Sequence, residues 1–495
     1  MIDAKTRAKY TPTIGIECHV QLKTATKLFA AVGNDAREAD PNTLVSHICF
    51  GLPGALPVLN KEAVRLASKA AFALGSEPAR FSKFDRKHYF YPDLPKGYQI
   101  SQFDEPIVVG GSITIEVGDE EKTVGITRAH LEEDAGKSTH PVGKDYSLVD
   151  LNRAGTPLLE IVSEPDMHTA AEAKAYAREL YLRMRYADVS DANLYYGNMR
   201  FDVNVSVSTS DELGTRSETK NLNSFRAVEK AVEYEIARQI ELLEKGEKIV
   251  QETRGWDDAK QKTFSQRSKE NADDYRYMPD PDIPPIVLSE DYVGKIKAEM
   301  PELPDDYRQK FKGIGIESAV IEDIIAVPET AKTISRILEK SDAEHTRRVA
   351  FWLLQPQTDD AVIPDAASVI PSAVEESVNG SLDSARDDKL VRLSKMVADN
   401  KLSSTAAKEV LAELMKSGAD PEKIAADKNL LQVSDEGEIA KIVEKVLSEN
   451  AAAAEDVKNG EMKAIGFLVG QVMKASQGKA NPQMAQDLIK QQLGL

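Results

Sequence analysis

Residues 14–22 read Ile-Gly-Ile-Glu-Cys-His-Val-Gln-Leu. Apolar and polar residues alternate along it, which is typical of a β-strand with one buried face. Glu17 and His19 fall on the polar face. Residues 112–117 and 201–207 alternate in the same way. The sequence therefore predicts a sheet with one apolar and one polar face.

Helical segments separate these strands. The spacing of apolar residues predicts helices over 61–74, 169–186 and 224–245, with Thr169 as a cap and Gly75 as a stop. The connections between strands are long and lack regular βαβ spacing. An antiparallel sheet flanked by helices is therefore favoured, in an α+β fold.

The pattern becomes helical near residue 295, and this change predicts three domains. We expect a sheet domain over 1–295, a helical domain over 296–400 and a small helical tail over 401–495. Residues 356–388 contain scattered acids and no helical period, so we interpret them as a flexible insertion.

The composition limits the class of protein. The chain has 495 residues, 41% of them apolar and 29% charged, which is ordinary for a soluble protein of several domains. It has no apolar run near the ~18 residues of a membrane span, and its polar first residues lack a signal-peptide core. We therefore expect a cytoplasmic protein. The net charge of -18 argues against a free-standing, non-specific nucleic-acid binder, but not against a local basic surface.

Acidic residues recur on the predicted polar face. Glu17 and His19 lie roughly 7 Å apart along one strand, and alone they indicate only a solvated face. Glu160 lies inside an apolar strand, where a buried carboxylate needs a metal or an arginine as its partner. The further polar residues in this region are Glu132, Glu133, Asp202, Asn204, Glu218 and Lys220.

This set of side chains points to phosphoryl chemistry. Hard oxygen ligands favour magnesium over a soft metal, and magnesium beside lysine and arginine suits phosphoryl transfer from ATP. Neither a P-loop nor a Rossmann fingerprint occurs in the sequence, so a different structure must hold the nucleotide. Residues 87–99 combine aromatic rings with Lys87 and Lys96, which either contact bases and phosphates or form a packed surface loop.

Several long strings resemble one enzyme family, the B subunits of heterotrimeric aspartyl/glutamyl-tRNA amidotransferases. The strings span nearly the whole chain in the family's order, at residues 15–22, 81–102, 130–137, 150–160, 218–225, 274–282 and 466–476.

The resemblance implies a fold and an activity. The fold would be a glutamine-synthetase-like antiparallel-sheet cradle, followed by an all-helical domain and a small helical tail that contacts tRNA. The activity would be phosphorylation, with ATP and magnesium, of the side-chain carboxylate of misacylated tRNA, either Glu-tRNA(Gln) or Asp-tRNA(Asn). The family's amidase (glutaminase) partner, the A subunit, would supply ammonia through a tunnel, and a small C subunit would hold the other two together.

The resemblance also implies roles for individual residues. The metal ligands would be Glu17, His19, Glu132, Glu133 and Glu160. The catalytic residues would be Glu132, Glu133 and Lys220. The nucleotide would contact Lys87, Lys96, Asn204 and Glu218. Family members often carry a four-cysteine zinc knuckle after the first strand, but this chain retains only Cys49 there, so we predict no structural zinc.

Two alternatives remain open at the level of sequence. One is a small-molecule ligase of glutamine-synthetase type, which would not need a helical appendage. The other is a non-catalytic tRNA-binding subunit, in which Glu17, His19 and Glu160 would be ordinary surface residues. The sequence does not indicate which misacylated tRNA is used.

Overall fold

The computed structural model describes residues 3–118, 120–268, 275–354, 379–432, 436–461, 463–476 and 480–495. They form two compact units, one within Met1–Asp306 and one within residues 307–495. The prediction of three domains is neither supported nor opposed by this division and stays a prediction.

The first unit contains the strands. They are β1 (Thr11–Gln21), β2 (Phe81–Ser82), β3 (Asp85–His88), β4 (Tyr98–Ser101), β5 (Val108–Val109), β6 (Ser112–Val117), β7 (Glu120–Glu133), β8 (Lys137–Thr139), β9 (Leu148–Asp150), β10 (Pro157–Ser163), β11 (Met199–Ser208), β12 (Ser217–Leu222), β13 (Glu252–Asp257), β14 (Lys262–Ser268), β15 (Met278–Pro279) and β16 (Ile286–Val287).

Helices occur in both units. They are α1 (Ala4–Arg7), α2 (Lys61–Ala73), α3 (Ala170–Tyr186), α4 (Phe225–Glu244), α5 (Glu290–Ala298), α6 (Pro304–Gly313), α7 (Ser318–Ile325), α8 (Pro328–Lys340), α9 (Ala343–Leu353), α10 (Asn379–Ala398), α11 (Ser404–Ser417), α12 (Pro421–Asp427), α13 (Glu436–Glu449), α14 (Ala451–Lys458), α15 (Ala464–Ala475) and α16 (Pro482–Leu493). No helix among the described residues is long and apolar enough to cross a membrane.

One large sheet organises the first unit, in the order β14-β13-β12-β11-β1-β10-β7-β4-β3-β15. The expected mixture of strands and helices is confirmed, but the purely antiparallel arrangement is wrong. Strands β12 and β13 are parallel, whereas the other pairs along this order are antiparallel. The helix α4 connects β12 to β13, because parallel neighbours need a long crossover.

The apolar face of β1 lies in the core of this unit, as its alternation predicts. Ile14, Cys18 and Val20 are fully buried, together with side chains of α3 and α4 such as Tyr176 and Ile236. Since this face is covered, the opposite face of the same strands is left for polar side chains.

The predicted helices of the first unit are confirmed. The side chain of Thr169 accepts a hydrogen bond from the backbone N–H of Glu172 and caps α3, and Ser224 caps α4 in the same way. Gly75 follows α2 with a φ of 70°, a left-handed conformation that favours glycine. A substituent at this position would also meet the Ser112 carbonyl at 2.7 Å.

The interpretation of 356–388 as a flexible insertion stays a prediction, although a helix covers its C-terminal end. Residues 355–378 lie outside the described part of the chain, but α10 already begins at Asn379. Asp387 on this helix is fully buried and accepts a hydrogen bond of 2.7 Å from Arg336 Nε. The acids in this stretch therefore include one core ion-pair partner, which composition alone does not distinguish from a solvated acid.

Candidate active site

The strand register brings the polar side chains of several strands onto one face of the sheet. Glu17 lies opposite Asp202 of β11, and His19 lies opposite Glu160 of β10. Glu160 in turn lies opposite His130 of β7. Residues directly opposite each other on neighbouring strands share a face, so these five side chains are neighbours.

Three of the predicted ligands form what we call the first acidic group: His19, Glu132 and Glu160. One ligand atom from each lies within 4.8 Å of the others. His19 Nε2 is 3.5 Å from Glu160 Oε2 and 3.9 Å from Glu132 Oε1. Glu132 is buried and His19 and Glu160 are nearly so, hence the group is screened little by water.

His130 completes this arrangement and is absent from the residues that the sequence indicated. Its Nε2 lies 3.4 Å from Glu160 Oε2 and 3.7 Å from Glu132 Oε2. Burial lowers the pKa of His130, but the charges and hydrogen bonds of Glu160 and Glu132 together outweigh burial and raise the pKa to about 9. Burial alone would raise the pKa of Glu160, yet the charges and hydrogen bonds of His130 and His19 together hold it well below its usual range. The signal was present, since His130 and Glu132 are two residues apart on one strand, as are Glu17 and His19.

A second acidic group, Glu17, Asp202 and Glu218, lies on the same face, with ligand atoms within 4.8 Å of one another. Lys220 Nζ is 2.8 Å from both Asp202 Oδ2 and Glu218 Oε1. Asn204 donates a hydrogen bond of 3.0 Å to Glu17 Oε1. The predicted residues Asn204, Glu218 and Lys220 therefore meet at this group.

The donor set of both groups fits magnesium. Carboxylate oxygens dominate it, and they are the ligands that magnesium prefers. Burial raises the pKa of Glu17, and the nearby charge of Glu160 raises it further. The second effect reflects the negative charge gathered on this face, which a divalent cation would offset. His19 Nδ1 is buried and has no hydrogen-bond partner among the described residues.

Glu133 lies apart from both groups. Consecutive residues of a strand point to opposite faces, so Glu133 leaves the face that carries Glu132. Its carboxylate accepts hydrogen bonds from Lys96 Nζ and, at 2.9 Å, from the backbone N–H of Ile100. Among the residues that the structure describes, Glu133 belongs to neither acidic group. Glu133 and Lys96 instead line a separate small cavity beside Cys49 and Gly155.

Lys87 extends towards the first acidic group from β3. Burial lowers its pKa, but the charge of Glu132 and other neighbours outweighs burial, so the net shift is upward and the ammonium is retained. Its Nζ lies 4.8 Å from the ring centroid of Tyr275. Near it, Phe103 and Tyr277 stack with ring centroids 4.0 Å apart. Within the predicted stretch 87–99, Lys87 Nζ lies 5.9 Å from the ring centroid of Tyr89. Whether this stretch contacts bases and phosphates stays a prediction.

Two family models match the chain. A family model described as the GatB/GatE catalytic domain matches residues 12–294, which include both acidic groups. A second, described as the GatB domain, matches residues 368–493.

Three relatives with the same name match almost end to end. The chain is similar to the aspartyl/glutamyl-tRNA(Asn/Gln) amidotransferase B subunit of Carboxydothermus hydrogenoformans, with 44% identity over 491 residues, 98% of this chain and 99% of the relative. Identity to the Persephonella marina protein is 44% over 488 residues, 98% of this chain and 100% of the relative. Identity to the Bdellovibrio bacteriovorus protein is 45% over 489 residues, 98% of this chain and 99% of the relative. The chain therefore belongs to the family of aspartyl/glutamyl-tRNA(Asn/Gln) amidotransferase B subunits.

Proposed function

We propose that this chain activates the side-chain carboxylate of Glu-tRNA(Gln), of Asp-tRNA(Asn) or of both, by phosphorylation with ATP, so that ammonia can form the amide. It would act in the cytoplasm, where misacylated tRNA is made and used. The observation that supports the proposal is the cross-strand register of β1, which brings two groups of side chains that could hold a metal ion onto one largely buried sheet face.

The reaction explains why such a face is useful. A carboxylate oxygen attacks the γ-phosphorus of ATP, a new O–P bond forms, the bond to the bridging oxygen breaks, and ADP leaves. Ammonia then attacks the acyl carbon, a C–N bond forms, and phosphate leaves while ammonia gives up a proton. Magnesium, when bound, neutralises charge on the phosphate oxygens and on the leaving group.

The residues of this chain would divide the work. His19, Glu132 and Glu160 would hold one cation and Glu17, Asp202 and Glu218 a second. His130 and Asn204 would position the ligands that they contact. Lys220 and Lys87 would contact the phosphates and the base of the nucleotide, on the part of the face beside the aromatic rings. Glu133 and Lys96 pair with each other, and this ion pair would have to open before either residue could take the role that the resemblance implies. Neither residue therefore has a role in the proposed reaction.

The partners follow from the family. The chain would receive ammonia from the amidase (glutaminase) partner, with a small third protein joining the two, because an acyl phosphate must be kept from water until ammonia arrives. The sheet would form the glutamine-synthetase-like cradle, and the helical tail would contact tRNA. The burial of Glu132, Asp202 and Glu218 favours this function over that of a non-catalytic binding protein, in which acids would be solvated.

The test is amide formation by the complex reconstituted with the amidase and the small third protein. We expect glutamine- and ATP-dependent conversion of Glu-tRNA(Gln), Asp-tRNA(Asn) or both into the amidated product. Formation of neither product would reject the function. Conversion of free glutamate instead of the acyl-tRNA would favour the small-molecule ligase.

A further inference from the structure

Arg200 also lies on the acidic face, and the proposed division of work among the residues does not include it. It occupies β11 directly opposite His19, two residues before Asp202 on the same strand face. Its side chain is 19% exposed, so the guanidinium is largely enclosed but still reaches the surface of the face. Glu132 and Asp202 are close enough to influence its charge.

Asp134 holds this guanidinium in one orientation. Arg200 Nη1 donates to Asp134 Oδ2 and Nη2 donates to Oδ1, both at 3.2 Å. Two parallel hydrogen bonds between a planar guanidinium and a carboxylate fix direction as well as distance. Asp134 is only 8% exposed, so its own position is set by packing. Because Arg200 lies opposite His19 and its charge acts on that side chain, the fixed guanidinium stands beside the first acidic group.

Asp134 does not pair with Arg200 alone. Arg153 Nε also lies 3.4 Å from Asp134 Oδ2, so two arginines share one carboxylate. Lys220 on the same face differs from Arg200, because it has two carboxylate partners of its own. A nucleotide carries several negative charges, which a face of acids repels unless fixed cations are present. Arg200 supplies such a cation beside a proposed metal ligand.

We propose that Arg200 binds the terminal phosphoryl group of ATP, with Asp134 as the residue that positions its guanidinium. The assignment rests on the proposed function and adds a residue to it. The terminal phosphoryl group is the part of the nucleotide in which charge moves during transfer, and arginine suits its oxygens because the planar fork donates two hydrogen bonds. ADP lacks this group, so Arg200 distinguishes ATP from ADP.

The experiment compares binding of two nucleotides to the full chain in the presence of magnesium. The probes are ADP and an ATP analogue with a non-hydrolysable β–γ imido bridge. Arg200→Met should weaken binding of the analogue by about 10- to 100-fold, the effect of losing charged hydrogen bonds, and should leave ADP binding within about twofold. Arg200→Lys keeps the charge but loses the fork, so its analogue binding should be intermediate.

Arg65→Met is the matched control. Arg65 forms a guanidinium–carboxylate pair with Glu62 on α2 and contacts neither Arg200 nor Asp134 in the described structure, so both nucleotides should bind as before. Equal weakening of ADP and analogue by Arg200→Met, or weakening of neither, would overturn the assignment. If Arg200→Met does not fold, as judged by circular dichroism, Arg200→Lys decides by the same comparison. If the unaltered chain binds neither nucleotide, the proposed function itself fails and the assignment fails with it.

Discussion

Glu132 and Glu133 are adjacent in the sequence, yet their side chains leave β7 on opposite faces. Glu132 lies 3.9 Å from His19, whereas Glu133 pairs with Lys96. We expect Glu132→Gln to weaken binding of Mn²⁺, a spectroscopic substitute for magnesium, at least about tenfold, because a charged ligand is lost. Glu133→Gln should change the Mn²⁺ affinity by less than about threefold. Titration followed by electron paramagnetic resonance measures both.

The same pair shows what residue patterns reveal and what they do not. The alternation in residues 14–22 predicted that Glu17 and His19 share a polar face, and the structure confirms this. The resemblance gave Glu132 and Glu133 the same roles, because a matching string of residues does not show on which face of the sheet each side chain lies. His130 was missed although it lies two residues before Glu132 on the same strand face. Spacing along one strand shows a shared face, and the register against Glu160 brings His130 into the group.

At the scale of elements, Glu235 joins α4 to the strands on which it packs. This carboxylate is fully buried and accepts a hydrogen bond of 2.6 Å from Ser217 of β12. It also lies 2.7 Å from Arg238 and 3.1 Å from Arg254 of β13. Burial raises the pKa of Glu235, but the hydrogen bonds and charge of Arg238 and the other partners outweigh burial and leave it below its ordinary value of 4.5.

The lowered pKa of Glu235 determines in which direction the free energy of unfolding changes with pH. A carboxylate whose pKa is lower in the folded state adds stability above its unfolded pKa, and that stability is lost as pH falls through the folded pKa. We expect Glu235→Gln to lower the free energy of unfolding by about 3 kcal/mol at neutral pH, where two arginines lose their partner. The difference from the unaltered chain should shrink as pH falls below about 4.5. Denaturant titration at several pH values measures it.

Glu233→Gln is the control on the same helix. Glu233 is 48% exposed and pairs with Lys230 at the surface, so its loss should change the free energy of unfolding by less than about 1 kcal/mol at any pH. A Glu235→Gln effect that stayed constant down to acid pH would contradict the linkage.

The elements themselves were predictable to different degrees. The cap at Thr169 and the apolar spacing over 224–245 predicted α3 and α4, because those signals are local. The parallel pairing of β12 with β13 was not predicted, although the α4 pattern between them is the crossover that such a pair requires. One crossover in an otherwise antiparallel sheet produces no regular βαβ spacing in the sequence. The contacts of Glu235 that hold α4 against the strands join residues that are distant in the sequence.

At the scale of the molecule, both acidic groups lie within the first compact unit. That unit has its own core around β1, so we expect a fragment of residues 1–306 to fold and to bind Mn²⁺ within about threefold of the affinity of the full chain. The fragment ends within α6 and lacks the helices from α7 onward, so misacylated tRNA should no longer stimulate its ATP hydrolysis. A folded fragment that binds no Mn²⁺ would show that the site needs residues beyond 306.

The most direct test of the central claim is ADP formation by the reconstituted complex without an ammonia donor. Misacylated tRNA should stimulate ADP formation, and free glutamate should not. Glu160→Gln should abolish the stimulation, because its carboxylate lies between His19 and His130 in the first acidic group. Glu164→Gln should preserve it, because that exposed side chain contacts Thr127 instead. Equal stimulation in the Glu160→Gln and unaltered complexes would contradict the claim that this face activates the carboxylate.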